Sequence, residues 1–313
     1  MPANKKENIM KKDILFGICA DVHHSRHRDE RWRVEKFVSE ATERGADFII
    51  QLGDFTSYCD QGREVAAVFN SFAGPRYHVL GNHETERSDK ATVLEMLGQK
   101  EKYYSFDVGE YHFVVLDTNY EQVGDEYLDY NCRRTHFDNC FIPPEQLSWL
   151  EADLAATDKR CFLFMHATCE VGDWRIRNIH EFRGVLWRTN ERAGYNKVTM
   201  VFSGHDHADA YRFKGGIHYM IVNSMSHKYI GNLYPTQSAH AADVEKDYGE
   251  LKYIIPYKDP LYAFVRLKSN GLIQIIGKQS EYDGNSPVEL HWEHYASPQI
   301  SYRELWMNGY GEL

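Results

Sequence analysis

The sequence has no uninterrupted apolar run of the about 18 residues that a membrane-spanning helix needs. Its six cysteines are too few in 313 residues to form a disulfide scaffold. Basic residues are outnumbered, with 36 Lys and Arg against 46 Asp and Glu and a formal net charge of −10. Because a negative protein repels phosphate backbones, we expect neither a nucleic-acid duplex nor a membrane as a partner.

The beginning of the chain lacks the pattern of a secretion signal. Residues 1–12 are polar and rich in lysine, and no apolar stretch with a small-residue cleavage site follows them. We therefore expect a flexible N-terminus and a cytoplasmic location. Whether Cys132 and Cys140, which share a polar segment, form a disulfide bond stays open at this point.

The remaining composition, 42% hydrophobic and 26% charged, is that of an ordinary globular protein. Strands are predicted at residues 14–19, 48–52 and 77–80, and a helical pattern follows each of them. This alternation is typical of β-α-β units with a largely parallel sheet. The last third of the chain is richer in strands and hairpin turns, so we predict a second, largely antiparallel sheet.

No linker divides the chain, so we expect one domain over residues 13–280. Residues 281–313 form an aromatic-rich tail that we expect to pack on this domain or on a second subunit, which would make a homo-oligomer. The polar segment 119–144 is long for a loop in a compact domain, and its Tyr and Arg residues favour a lid or a binding loop.

Polar residues that can bind a metal follow five of the predicted strands. They are Asp21 and His23, Asp54, Asn82 with His83 and Glu84, His166, and His205 with His207. Open α/β sheets bind ligands outside the carboxyl ends of their strands, so these groups can converge on one crevice. Glycines at positions 53, 81 and 204 stand just before three of the groups and permit tight turns or close backbone approach.

Each group also has an ordinary explanation when it is taken alone. Asn82 can cap a helix, His166 can be a hydrogen-bonded core histidine, and the Gly-Asp pair at Asp54 can be a turn. Five such strand ends in one chain are not expected by chance. Because oxygen and imidazole donors without thiolate suit Mn, Fe, Zn or Co better than Ca or Cu(I), the sequence predicts a metal site of this kind.

The blocks D-x-H, G-D, G-N-H-E, an isolated His and G-H-x-H occur in this order from Asp21 to His207. This order resembles the calcineurin-like binuclear metallophosphoesterases. The resemblance implies a four-layer α/β/β/α sandwich of two mixed sheets flanked by helices. It also implies two divalent or mixed-valence metal ions, with Mn, Fe or Zn expected, and in-line attack on phosphorus by a hydroxide that bridges them. In this family pattern Asp21, His23 and His207 would bind the first ion and Asn82, His166 and His205 the second, with Asp54 bridging both.

The resemblance makes His83 a catalytic residue that binds no metal and gives a proton or a hydrogen bond to the leaving oxygen. Two interpretations of Glu84 stay open. Its carboxylate either orients the His83 imidazole, as part of the catalytic set, or is a solvated carboxylate in the first turn of a helix.

One subgroup of the family fits less well than the others. Purple acid phosphatases have D-x-G in the first block and a tyrosine three residues after the bridging aspartate, where this chain has His23 and Ser57. The pattern is closer to cyclic-nucleotide phosphodiesterases and to manganese-dependent ADP-ribose/CDP-alcohol diphosphatases, and the motifs do not separate these two.

Four further residues, His24, Trp174, Arg175 and His227, are candidates for binding the substrate. An aromatic ring beside a guanidinium group suits a base or a ribose phosphate. We therefore expect a phosphoesterase that hydrolyses a phosphodiester, phosphoanhydride or phosphomonoester of a small, nucleotide-like substrate. Two alternatives remain, a metal-binding interaction scaffold without turnover and a protein phosphatase.

Overall fold

Helices and strands alternate as the apolar pattern predicts over the first two-thirds of the chain. The structure is a computed structural model that describes residues 12–23, 29–86, 88–130, 139–170, 175–231, 249, 251–291 and 297–309. The helices are α1 (Glu30–Glu43), α2 (Asp60–Asn70), α3 (Lys90–Leu97), α4 (Pro144–Ala156) and α5 (Ile179–Ala193). The strands are β1 (Ile14–Cys19), β2 (Phe48–Gln51), β3 (Arg76–His78), β4 (Tyr104–Val108), β5 (Tyr111–Val115), β6 (Tyr120–Val123), β7 (Glu126–Asp129), β8 (Asn139–Phe141), β9 (Arg160–Phe164), β10 (Val198–Ser203), β11 (Ala210–Lys214), β12 (Ile217–Ile221), β13 (His227–Tyr229), β14 (Ile254–Pro256), β15 (Ala263–Leu267), β16 (Leu272–Ile276) and β17 (Arg303–Trp306).

Local sequence signals explain where several of these helices begin and end. Asp89 accepts a hydrogen bond from the backbone N–H of Thr92 at 2.8 Å and so caps the start of α3. Gly98 ends the same helix in the left-handed conformation, with φ +72°. Pro144 occupies the first turn of α4, where its missing N–H costs no hydrogen bond.

Two six-stranded mixed sheets form the centre of the molecule. The first has the order β17-β16-β15-β1-β2-β3 and the second β11-β12-β10-β9-β5-β4. Strands β1, β2 and β3 are parallel, as are β5, β9, β10 and β12, and the outer strands are antiparallel. The expectation of a separate, largely antiparallel sheet from the last third is wrong, because β12 joins the second sheet in parallel and β15–β17 extend the first beyond β1.

The buried residues fall into three apolar clusters that separate four layers. One cluster lies between the two sheets, one between the first sheet and helices α1–α3, and one between the second sheet and helices α4 and α5. Aromatic rings fill the space between the sheets: Phe16 stacks on Phe48 at 4.7 Å and meets Phe113 and Phe164 edge to face, each at 5.9 Å. This arrangement confirms the predicted four-layer sandwich.

The segment 119–144, expected to be a loop, contains regular structure. Strands β6 and β7 pair around a turn at Gly124, which has φ +64°, and β8 pairs with the other side of β6. The turn signal is present in the sequence as a Gly-Asp pair between two strand-like runs. Residues 131–138, including Cys132, lie outside the described part of the chain, so the question of a bond between Cys132 and Cys140 is not addressed.

The tail over residues 281–313 supplies a strand to the central sheet. Strand β17 pairs antiparallel with β16, and Ile300 and Met307 are buried in the cluster between the sheets. Residues 1–11 lie outside the described part of the chain, so the expectation for the N-terminus is not addressed. Within the described residues, no helix is long and apolar enough to span a bilayer.

We predict that Phe16→Ala lowers the free energy of unfolding by about 3–5 kcal/mol, because it removes a ring buried against four others. Phe16→Leu keeps most of the buried volume and is the matched control, with an expected loss below about 1.5 kcal/mol. Urea unfolding of the two variants and the parent measures the difference. Equal losses would contradict the role given to the ring.

Candidate metal centre

The polar residues that follow the parallel strands lie together at one rim of the sandwich. Strands β1, β2 and β3 of the first sheet and β9 and β10 of the second all end at this rim. Besides Glu84, the structure brings together the other eight residues expected there, namely Asp21, His23, Asp54, Asn82, His83, His166, His205 and His207.

Asp21, His23 and His207 form the first group of donors. Nε2 of His23 lies 2.9 Å from Nε2 of His207, and Oδ1 of Asp21 lies 3.5 Å from the latter atom and 3.8 Å from the former. The three residues are 0%, 6% and 4% exposed, respectively. The group is therefore shielded from bulk water, and its polar atoms face one another.

Asn82, His166 and His205 form the second group. Nε2 of His166 lies 3.0 Å from Nδ1 of His205 and 3.1 Å from Oδ1 of Asn82. The same nitrogen lies 3.2 Å from Oδ2 of Asp54. A single imidazole nitrogen is thus surrounded by three other donor atoms.

Asp54 stands between the two groups. Its Oδ2 lies 3.6 Å from Nε2 of His23 and 3.2 Å from Nε2 of His166, and so contacts both groups. Its Oδ1 accepts a hydrogen bond from the backbone N–H of His83 at 2.8 Å. This carboxylate therefore joins the two groups and also positions His83.

The spacing of the donor atoms fits bound metal ions. Two ligand atoms bound at about 2.0–2.2 Å to one ion lie about 3–4 Å apart. The donor pairs in the two groups lie 2.9 to 3.8 Å apart. In addition, Nδ1 of His166 donates to the carbonyl oxygen of Leu52 at 2.8 Å and Nδ1 of His207 donates to that of His227 at 3.0 Å. Metal-binding histidines use their second nitrogen in this way, which directs the other nitrogen at the ion.

The electrostatics of the rim favour positive charge at its centre. Burial lowers the pKa of His166, yet the carboxylates of Asp54 and Asp21 more than compensate and raise it to about 10. Burial opposes ionisation of Asp54, but the charges of His166 and His83 hold its pKa well below the usual range. Burial, followed by the charge of His166, lowers the pKa of His205. A cluster that stabilises a proton so strongly is suited to hold a cation in its place.

The backbone of the rim is strained. In the described part of the chain seven residues other than glycine have positive φ, and five of them belong to the rim: Asp21, His23, Asp54, His205 and His207, with φ between 47° and 72°. Such residues cost free energy and persist only where the surroundings fix them. Here the fixing contacts are backbone hydrogen bonds from Asp21 to the Gly53 carbonyl at 3.1 Å and from His23 to the Asp54 carbonyl at 2.8 Å.

Two glycines let the strand ends approach this closely. Gly53 has φ +94°, and a Cβ there would lie 2.6 Å from Nδ1 of His166. A Cβ at Gly81 would lie 2.1 Å from the backbone nitrogen of Asp54. The close backbone approach expected from the sequence is therefore present at both positions.

Glu84 is not the solvated carboxylate of one of the two interpretations. It is fully buried, and its Oε2 accepts hydrogen bonds from the backbone N–H of Gly81 at 2.8 Å and of Asp54 at 3.1 Å. Its Oε1 accepts one from the N–H of Phe55. The carboxylate thus holds the loop that carries Asp54, and an effect on the His83 imidazole stays a prediction. Burial and the nearby Asp54 raise the pKa of Glu84 to about 7.

The structure describes two of the four candidate substrate-binding residues, Arg175 and His227. His24 and Trp174 lie outside the described residues, and Arg175, which directly follows the undescribed segment 171–174, is exposed. His227 is fully buried, with its ring centroid 5.0 Å from that of His23 and 4.9 Å from that of His207. Its neighbour Lys228 donates to the carbonyl oxygens of Asp206 and His207, so this ammonium group braces the G-H-x-H loop.

The residues that follow the parallel strands β5 and β12 also support the rim, a role that was not predicted from the sequence. After β5, Asn119 donates to the Leu80 carbonyl at 2.6 Å and Thr118 accepts from the backbone N–H of Ala167 at 3.1 Å. After β12, the Ser224 hydroxyl donates to the Asp21 carbonyl at 2.7 Å. The available signal was the same as at the other strand ends, small polar residues directly after an apolar run.

We predict that Glu84→Ala lowers the free energy of unfolding by at least about 2 kcal/mol, because an unsatisfied buried N–H costs about 1–3 kcal/mol and three lose their acceptor. The variant should also bind metal more weakly, since the Asp54 loop is released. Glu95→Ala, the same change at an exposed position of α3, is the control. Thermal unfolding and metal analysis that fail to separate the two variants would refute this role of Glu84.

Comparison with known proteins agrees with this geometry. A model of the calcineurin-like phosphoesterase family matches residues 14–209. A manganese-dependent ADP-ribose/CDP-alcohol diphosphatase from Oryza sativa subsp. japonica is 26% identical over 270 residues, with 67% of this chain and 82% of that protein covered. The protein of the same description from Arabidopsis thaliana is 24% identical, with 63% and 80% covered.

Among solved structures, a dimetal phosphatase from Danio rerio superposes with a TM-score of 0.61 at 16% identity, covering 86% of this chain and 98% of that one. This similarity supports the four-layer fold. The family match spans every block of the motif, from Asp21 to His207. The chain therefore belongs to the calcineurin-like phosphoesterase family, which confirms the resemblance seen in the sequence and the predicted class of metal-dependent phosphohydrolase.

Proposed function

We propose that this protein is a manganese-dependent hydrolase that cleaves the phosphoanhydride bond of small nucleoside diphosphate conjugates of the ADP-ribose and CDP-alcohol type. Support for the substrate class comes from the two diphosphatases, each of which is matched over at least 80% of its length. Between the two subgroups that the motifs left open, these relatives favour the diphosphatases over the cyclic-nucleotide phosphodiesterases.

The observation that carries the proposal is the position of the Asp54 carboxylate between two groups of nitrogen and oxygen donors. Asp21, His23, His207 and Asp54 would hold one ion, and Asn82, His166, His205 and Asp54 the other. Two ions that share a carboxylate polarise phosphoryl oxygens and lower the pKa of water, which is the chemistry they supply when bound.

The charge balance of the rim explains how a negative protein can bind an anionic substrate. The proposed ligand set has two carboxylates, Asp21 and Asp54, and its other members are neutral as ligands. Two divalent cations outweigh these two negative charges. The loaded rim is therefore locally positive, although the whole chain carries a formal charge of −10.

His83 is the residue that this proposal assigns to the leaving group. Its side chain is 32% exposed, whereas Asp54 and His166 next to it are at most 2% exposed, so it is open to a bound molecule. Its Nε2 lies 3.8 Å from Oδ2 of Asp54, at the edge of the donor groups. A proton held on Nε2 can stabilise the charge that develops on the leaving phosphate oxygen.

The scaffold alternative has less support than catalysis. An interaction scaffold has no need for a complete set of seven ligands together with His83, and all eight are present at the rim. A cytoplasmic location and a homo-oligomer through the tail stay predictions, as does the division into a domain and a tail.

We predict that the protein, stripped with a chelator and reloaded with Mn²⁺, hydrolyses ADP-ribose to AMP and ribose 5-phosphate and CDP-choline to CMP and phosphocholine. Product chromatography measures both reactions, with 3′,5′-cyclic AMP and p-nitrophenyl phosphate as comparison substrates. Faster hydrolysis of cyclic AMP would replace the proposal with a cyclic phosphodiesterase. A protein that binds Mn²⁺ and hydrolyses none of the four would favour the scaffold.

The substitutions His83→Ala and Asp54→Ala should separate catalysis from metal binding. We expect His83→Ala to keep its metal content while turnover of bis(p-nitrophenyl) phosphate falls at least tenfold, since general acid catalysis contributes about 10²-fold or more. Asp54→Ala should lose both metal and activity. Unchanged turnover in the first variant would remove His83 from the mechanism, and two retained metals in the second would refute the bridging role of Asp54.

A further inference from the structure

His227 is held at the rim by backbone and hydroxyl contacts. The Ser224 hydroxyl donates to the Asp21 carbonyl oxygen at 2.7 Å and accepts from the backbone N–H of His227 at 3.2 Å. The N–H of Met225 donates to the Ala20 carbonyl at 2.8 Å. The segment that leads to His227 is therefore tied to the same stretch of chain that carries Asp21 and His23.

The His227 ring lies against the first group of donors. Nitrogen atoms of His23, His207 and His227 lie within 4.8 Å of one another, and all three residues are buried. The backbone carbonyl of His227 also accepts from Nδ1 of His207 at 3.0 Å, which leaves Nε2 of His207 facing His23. His227 thus orients one of the imidazoles with its backbone and adds a further imidazole with its side chain.

We propose that His227 is an additional protein ligand of the ion bound by Asp21, His23 and His207. This inference rests on the proposed two-metal function, and it lies beyond the family motif, since the family match ends at residue 209. It replaces the expectation that His227 binds the substrate. A substrate-binding side chain should be reachable from solvent, as His83 is at 32% exposure, whereas His227 is 0% exposed.

An extra imidazole makes the two positions chemically different. The first position then has three imidazoles and two carboxylates, and the second has two imidazoles, one amide and the shared carboxylate. Imidazole-rich sites suit Zn²⁺ and Co²⁺, whereas oxygen-rich sites suit Mn²⁺. The two positions should therefore differ in metal preference, with the first binding Co²⁺ more tightly than the second.

The first test is Co²⁺ titration of the chelator-stripped protein, followed by visible absorption and by equilibrium dialysis. We expect two bound ions in the parent protein. In His227→Gln the Co²⁺ dissociation constant of the higher-affinity position should rise at least about tenfold. Mutation of residues that only hydrogen-bond to metal ligands already weakens metal binding by 10–100-fold. His218→Gln is the matched control, since His218 is also a buried strand histidine, bonded to the Tyr211 hydroxyl and the Trp306 carbonyl.

The second test looks for a new absorption band and does not depend on a loss of metal affinity. In His227→Cys with Co²⁺ we expect a thiolate-to-cobalt charge-transfer band in the near ultraviolet that is absent from His218→Cys and from the parent. Circular dichroism checks that each variant is folded. Absence of the band from a folded His227→Cys protein that still binds two Co²⁺ ions would overturn the assignment of His227.

The two hypotheses fail in different ways. If the parent protein binds no Co²⁺ or Mn²⁺, the proposed two-metal function is wrong whatever His227 does. If the parent binds two ions and His227→Gln binds them with unchanged affinity and an unchanged spectrum, only the assignment of His227 is wrong.

Discussion

The Asp54 carboxylate is the group on which the rest of the site depends. It is carried by the first sheet, yet its Oδ2 contacts His166 at the end of a strand of the second sheet as well as His23. A buried carboxylate is costly unless its charge is compensated. Imidazoles from both sheets surround this carboxylate and can compensate its negative charge. The Asp54 carboxylate therefore links the two sheets electrostatically. The same carboxylate would stabilise a cation bound at the rim.

The aromatic core between the sheets makes this meeting of strand ends possible. Packed sheets lie about 10 Å apart, and the rings of Phe16, Phe48, Phe113 and Phe164 fill that space. At the rim the rings give way to polar side chains, which reach across the same gap. The positive φ angles of the rim residues show that the backbone there is not in its conformation of lowest local free energy. The free energy that holds them comes from the core and from the hydrogen bonds of the neighbouring strand ends.

Much of the site could be predicted because its signal is local. A donor residue directly after an apolar run is visible in the sequence, and so are the glycines that precede Asp54 and Asn82. What could not be predicted depends on pairing between distant segments. Strand β12 lies parallel to β10, which the hairpin turn before it did not reveal, so the position of His227 against His23 and His207 could not be deduced from the sequence. The burial of Glu84 could not be predicted for a similar reason, since its partners include the backbone of a loop about 30 residues earlier.

The supporting hydrogen bonds show why this rim suits phosphoryl transfer, in which a protein contributes mainly positioning and charge. Ser224 holds the Asp21 carbonyl, Glu84 holds the Asp54 amide and Asn119 holds the Leu80 carbonyl, and all three are buried. Each contact fixes a loop at a point next to a donor residue. Donors fixed in this way need little rearrangement when charge develops on a substrate, because the cost of ordering them was met when the protein folded. His83 differs from them in its exposure, which fits a residue that must meet a leaving group rather than hold an ion.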